Sequence, residues 1–196
     1  MNTPVPSADS SNDGVSLAPT GELAPLFLRI RVVLSHTSHP GNIGAAARAM
    51  KTMGLLRLVL VNPRTFPDPQ ADTMAAGADD VLANAQVVAS LSEALVGTTL
   101  AIALTARRRE LAAPPMWARD AAAAVVAHAG EIALVFGNET SGLSNAELAQ
   151  CGAWAMIPVD AEFSSLKMVK SGTCGEVLDT EGGLPTLLFC CKLRLY

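Results

Sequence analysis

Residues 30–61 read IRVVLSHTSHPGNIGAAARAMKTMGLLRLVLV. Two apolar runs, IRVVL and LRLVLV, enclose a loop of small residues and an Ala-rich segment that ends near Met53. Apolar side chains at consecutive positions mark strands buried on both faces. A strand, a helix and a second such strand make the repeating unit of a parallel sheet covered by helices.

The pattern continues along the chain. Further buried strands are predicted at TTLAIAL, IALVF and WAMIPV, and helices at AAGADDVLANA, LSEAL, Ala118 to Ala129 and Asn145 to Gln150. The fold class is therefore α/β with a parallel sheet. Residues 1–25 are rich in Ser, Pro, Asn, Asp and Thr, offer little apolar surface to offset the entropy of ordering, and are expected to form a disordered tail.

Three loops come directly after predicted strands, where open α/β sheets hold their ligands. The first is SHPGNIGAAARAMKTMG, Ser38 to Gly54. Pro40 and Gly41 read as a turn and Gly44 as the residue before a helix carrying Arg48 and Lys51 on neighbouring positions of one face. A helix N-terminus attracts anions, so a phosphate cradle is one reading. A dinucleotide site is disfavoured, because Gly41 and Gly44 enclose only two residues and the GxGxxG spacing is missing. The plain alternative is a tight turn in which the glycines only let strand and helix pack closely.

The second loop is FGNETSGL, Phe136 to Leu143, where Gly137 could admit a ligand and Glu139 stands at the sheet edge, or where Thr140 or Ser144 caps a helix. The third is IPVDAEFSSL, Ile157 to Leu166, whose Ser164 and Ser165 could bind a ligand or cap the next segment of chain. His36 and His39 have an HxxH spacing, but no neighbouring acid or thiol completes a metal site, and hydrogen bonding is the expected role.

Net charge is −4, yet six cations and no acid lie between Arg29 and Arg64, and a second basic knot stands at Arg107, Arg108 and Arg109. Two positive zones could face one polyanion, or could be solvated surface. One Tyr and two Trp leave an aromatic stacking platform poorly supplied. The four cysteines form no CxxC pair and read as reduced thiols, with no metal expected. Neither a membrane span nor a signal peptide is apparent, and a cytoplasmic location is expected.

In order and spacing, SHPGNIGAAARAMKTMG, LVLVNPR, AAGADDVL, FGNETSGLSNAEL and IPVDAEFSSL resemble the SPOUT-class RNA 2′-O-ribose methyltransferases from about Leu28 to Leu166, within a domain expected over residues 26–166. The resemblance implies a parallel sheet with a C-terminal trefoil knot, S-adenosylmethionine as cofactor, tRNA as substrate and a homodimer. It implies transfer of a methyl group to the ribose of cytidine or uridine at position 32 of the anticodon loop. Carried over by position, the cofactor contacts are Leu104, Thr105, Ala106, Gly137, Ile157, Ser164, Ser165 and Leu166. The catalytic residues are Arg48, Asn42 and Glu139, and the RNA contacts Arg48, Lys51 and Arg107 to Arg109.

At Leu166 the pattern stops. Residues 167–196 contain no alanine but hold three of the four lysines, three of the four cysteines and the single tyrosine. The family's knot helix is expected to be replaced there by an atypical segment, such as a shifted reading frame would produce. That replacement leaves a second expectation, an impaired domain that binds RNA or a partner without turnover.

Overall fold

The computed structural model describes residues 24–105 and 114–156. They form a seven-stranded sheet in which every pairing is parallel. The strands are β1 (Ile30–Ser35), β2 (Arg57–Val61), β3 (Gln86–Val88), β4 (Leu100–Thr105), β5 (Met116–Trp117), β6 (Ile132–Phe136) and β7 (Ala153–Met156), and their order across the sheet is β3-β2-β1-β6-β4-β7-β5. The helices are α1 (Ala24–Arg29), α2 (Pro40–Thr52), α3 (Pro69–Ala75), α4 (Asp79–Ala83), α5 (Leu91–Ala94), α6 (Ala118–Ala127) and α7 (Asn145–Gln150). Helix α1 begins inside the last residues assigned to the tail; residues 1–23 lie outside the described part. So do 157–196, where the knot and the atypical segment are expected.

Side-chain alternation along the strands builds two cores. Ile30, Val32 and Leu34 of β1 join Ile43, Ala47 and Met50 of α2 and the apolar faces of α3, α4 and α6 on one side of the sheet. Val33 of β1 joins Val59, Val135, Trp154, Leu91 of α5 and Leu148 of α7 on the other. With both faces covered, central strands can be apolar at every position, which is why β1, β4 and β6 stand out in the sequence.

Helix α2 lies close against α3, and Gly44 makes that possible. A Cβ at Gly44 would sit 2.0 Å from the carbonyl oxygen of Ala71. Helix α2 starts at Pro40, in the first-turn position where proline's missing N–H costs nothing. The predicted turn at Pro40 and Gly41 is therefore the first helical turn, and Gly44 lies inside the helix instead of before it. Gly44 does serve close packing, but between the helices α2 and α3 and not between strand and helix at a turn.

The basic stretch from Arg29 to Arg64 is not one face. Arg29 donates to the carbonyls of His128 and Gly130 at 2.7 and 3.1 Å. Arg31 and Arg57 are register partners at the amino ends of β1 and β2, and both bind Glu131, at 3.2 and 2.6 Å. The hydrogen bond from Arg57 and the charges of both arginines hold the Glu131 carboxyl below its ordinary range against the opposing effect of burial. These three cations tie loops together at the sheet edge opposite the predicted ligand loops.

Candidate active site

Strand order reverses beside β1. From β1 the chain moves outward to β2 and β3, and β6 later returns to lie on β1's other side. The segment after β1 leads to α2 on one face, and the segment after β6 leads to α7 on the other. Their divergence marks the switch point at the carboxyl ends of the strands, where open α/β sheets bind ligands in a crevice.

Glu139 bridges that crevice. Its Oε2 accepts from the Ser38 backbone N–H at 3.0 Å and the Ser38 hydroxyl at 2.7 Å. Its Oε1 accepts from Asn42 Nδ2 at 2.7 Å and, at 3.5 Å, from the His39 N–H. His39 is the N-cap residue of α2 and makes no side-chain cap. The anion expected at this helix N-terminus is thus a carboxylate of the chain itself, placed where the helix dipole favours negative charge. Burial pushes Glu139 toward the neutral form, but the hydrogen bonds from Asn42 and Ser38 outweigh it and hold the carboxyl below its usual value. An ionised carboxylate so fully used as an acceptor is an anchor, poorly suited to accept a proton in catalysis.

Asn138 supplies a second tie across the crevice. Its Nδ2 donates to the carbonyl of His36 at 2.6 Å, and its Oδ1 accepts from the N–H groups of Thr140 and Ser141. Gly137 is required here by the chain's own path, since a Cβ would lie 2.2 Å from the Gly142 carbonyl carbon and the Leu143 nitrogen as the loop doubles back. Of the two predicted caps, Ser144 is the one used. It forms a capping box with Glu147 at the start of α7.

Arg48 lies six residues beyond Asn42 on α2, about 9 Å along the helix axis. Its side chain is exposed and forms no hydrogen bond or ion pair with the described residues. Asn42, by contrast, is 3% exposed. Asn42 and Glu139 are brought into contact, and Arg48 is presented on a different side of the same helix. Lys51 is paired with Asp80 at 2.7 Å, a contact that, through its hydrogen bond first, lowers the Asp80 carboxyl below its ordinary range.

Register gathers the described cofactor candidates at one edge. Leu104 is aligned with Phe136 of β6 and Ala155 of β7, and Thr105 with Met156. Leu104, Thr105 and Gly137 therefore share the carboxyl edge at which β7 ends, and Ile157 comes directly after Met156. Leu104 and Thr105 are buried, so a ligand there would meet them through backbone groups. This arrangement fits a cofactor held between three strand ends. Ala106, Arg107, Arg108, Arg109, Ile157, Ser164, Ser165 and Leu166 lie outside the described residues.

Three further residues belong to this edge and were given no part in the site by sequence reasoning: Ser35, Asn138 and Glu147. The Ser35 hydroxyl donates to Glu147 and lies 2.9 Å from His36 Nδ1. The Ser-x-x-Glu spacing of Ser144 and Glu147 was a readable signal for the cap, but nothing local links Glu147 to Ser35, 112 residues away.

The parallel sheet, its switch point and the converging loops define an α/β domain of the class that binds ligands at the carboxyl ends of its strands. Residues 29–172 match the SpoU rRNA Methylase family, and the chain belongs to that family. Over 143 residues it is 50% identical to the tRNA (cytidine/uridine/adenosine-2'-O-)-methyltransferase TrmJ of Pseudomonas aeruginosa (strain UCBPP-PA14), covering 71% of this chain and 56% of that one. The chain thus spans a little over half the length of this curated relative. A probable methyltransferase from Bordetella pertussis Tohama I is 38% identical, with a TM-score of 0.69 over 86% of this chain and 99% of that one. At the level of fold alone, the SpoU methyltransferase AviRb from Streptomyces viridochromogenes, solved in complex with AdoMet, is 22% identical with a TM-score of 0.55, over 81% of this chain and 57% of that one.

Proposed function

We propose that the protein methylates the ribose 2′-hydroxyl of cytidine or uridine at position 32 of the tRNA anticodon loop, using S-adenosylmethionine, as a cytoplasmic homodimer. The observation that carries this reading is the convergence at one sheet edge of the Glu139-anchored start of α2, the helix that presents Arg48 about two turns farther along, with the carboxyl ends of β4, β6 and β7. Identity of 50% to a TrmJ supports the substrate class, and a family member of the same fold in complex with AdoMet supports the methyl donor.

Leu104, Thr105 and Gly137, continued by Ala106, Ile157 and Ser164 to Leu166, would hold the cofactor. When bound it supplies a methyl group already activated by its sulfonium charge, so that no metal is needed. The exposed guanidinium of Arg48 orients an RNA phosphate and stabilises negative charge growing on the ribose oxygen. The hydroxyl proton passes to the phosphate or to water. Glu139 keeps Ser38 and Asn42 in place and through them the helix that carries Arg48. Lys51 and Arg107 to Arg109 add phosphate contacts.

Calorimetric titration with S-adenosylmethionine, followed by transfer of a tritiated methyl group to unmodified tRNA and mapping of the modified nucleotide, tests the proposal. Cofactor binding with methylation at position 32 is the expected result. Binding of tRNA without transfer would instead identify a binding domain without turnover, and failure to bind S-adenosylmethionine would refute the enzyme reading.

A further inference from the structure

His36 occupies an unusual place. It comes directly after β1, beside Asn138 across the crevice, with a left-handed backbone at φ 54°. Two backbone bonds fix it there: its N–H donates to the Val61 carbonyl at 2.8 Å, and its carbonyl accepts from Asn138 at 2.6 Å. A β-carbon-bearing residue at positive φ carries strain, so the position is held by its surroundings.

The ring is held as well. Nδ1 lies 2.9 Å from Ser35 Oγ and 3.6 Å from Glu147 Oε1. Ser35 gives its single proton to Glu147, so at the Ser35 contact Nδ1 must be the donor. Ser35 is fully buried and Glu147 largely so, whereas the His36 side chain is 52% exposed. Nε2 makes no hydrogen bond with the described residues. One ring nitrogen is thus fixed inward against a carboxylate, and the other is left to solvent at the rim of the crevice. A core histidine would have both nitrogens satisfied.

We propose that His36 is a further RNA-contacting residue: its imidazolium, backed by Glu147, donates Nε2–H to a backbone phosphate of the RNA bound at this edge. This inference rests on the proposed RNA substrate. The Ser35 hydroxyl and the Glu147 carboxylate fix the ring from behind, and a ring already fixed loses little freedom on binding a phosphate in front. Its role differs from that of Glu139, which faces inward and has no group left for a ligand.

The test is tRNA binding at pH 6, where imidazoles are largely protonated, across a range of salt concentrations, with His36→Asn. Asparagine tolerates the left-handed backbone and keeps the bond from Asn138. Wild-type binding is read first; if wild type does not bind tRNA, the RNA reading fails and this inference falls with it. If it binds, the variant should bind about three- to tenfold more weakly, and the slope of log K against log salt should flatten by about 0.7. Thermal midpoint and S-adenosylmethionine affinity should match wild type. Unchanged tRNA affinity and slope overturn this inference alone. So does weaker binding with an unchanged slope and a lowered midpoint, which marks a structural role, or a lower kcat at unchanged affinity, which places the ring at the reacting hydroxyl.

Discussion

Replacing Glu139 with glutamine keeps its shape and removes its charge, and the geometry sets what that costs. Three donors stand at 2.7, 2.7 and 3.0 Å from a carboxylate that donates nothing. Hydrogen bonds to a charged acceptor contribute about 1.5–3 kcal/mol and neutral ones about 0.5–1.5, so each contact loses about 1 kcal/mol. An amide also turns an N–H toward one set of these donors, and Asn42 is buried and cannot turn to water. Partial solvent access at Ser38 lowers the sum, and the expected loss is about 2 to 3 kcal/mol, measured by urea unfolding at pH 7. Acid behaviour gives an independent check. Because the folded carboxyl titrates below its unfolded value, its contribution is fully present above the ordinary glutamate pKa and is lost as pH falls through the lower folded value. Wild type should therefore lose stability on acidification below about pH 4.5 more steeply than E139Q, and the two should converge at low pH. An unfolding free energy within about 0.5 kcal/mol of wild type, with a parallel acid limb, would refute the reasoning.

Gly44→Ala forces a methyl group against the Ala71 carbonyl and should cost about 1–3 kcal/mol in the same urea assay by pushing α2 away from α3. Arg48→Ala should leave the thermal midpoint and cofactor affinity unchanged, because the side chain has no described partner, while methyl transfer falls at least a hundredfold, about the cost of losing one electrostatic stabiliser; matched loss of cofactor affinity would show that Arg48 serves the other side of the crevice. Burial, with the Glu147 charge adding to it, raises the Cys151 thiol to about 11. Brief iodoacetamide treatment of native protein at pH 7.5 should leave Cys151 unmodified in peptide mapping, and labelling should appear on denaturation.

The central strands were legible because burial on both faces writes an unbroken apolar run. Strands β3 and β5 were not: Gln86 and Val87 are exposed, β5 has two residues, and pairing alone makes them strands. Helix α3 left a readable trace in Asp68 and Pro69, the N-cap and first helical residue, where the Asp68 side chain accepts from the Gln70 N–H. Positive charge was legible as a run along the chain but not as a surface. Strand direction sends Arg29, Arg31 and Arg57 to one edge of the sheet, and the candidate site lies at the other.

By itself the sequence determined the α/β class, the three loops, the helix that carries Arg48 and, through its resemblance, the family. Those are properties of local pattern, since hydrophobic period and turn chemistry act over a few residues. Only the tertiary structure decided what each polar group does. Glu139 fills the N-terminus of α2, Gly44 yields space to α3, and Glu147 and Asn138 hold His36 at the rim. Each of these contacts joins residues far apart in the chain, and long-range pairing becomes definite only when sheet register and helix packing fix the distances between them.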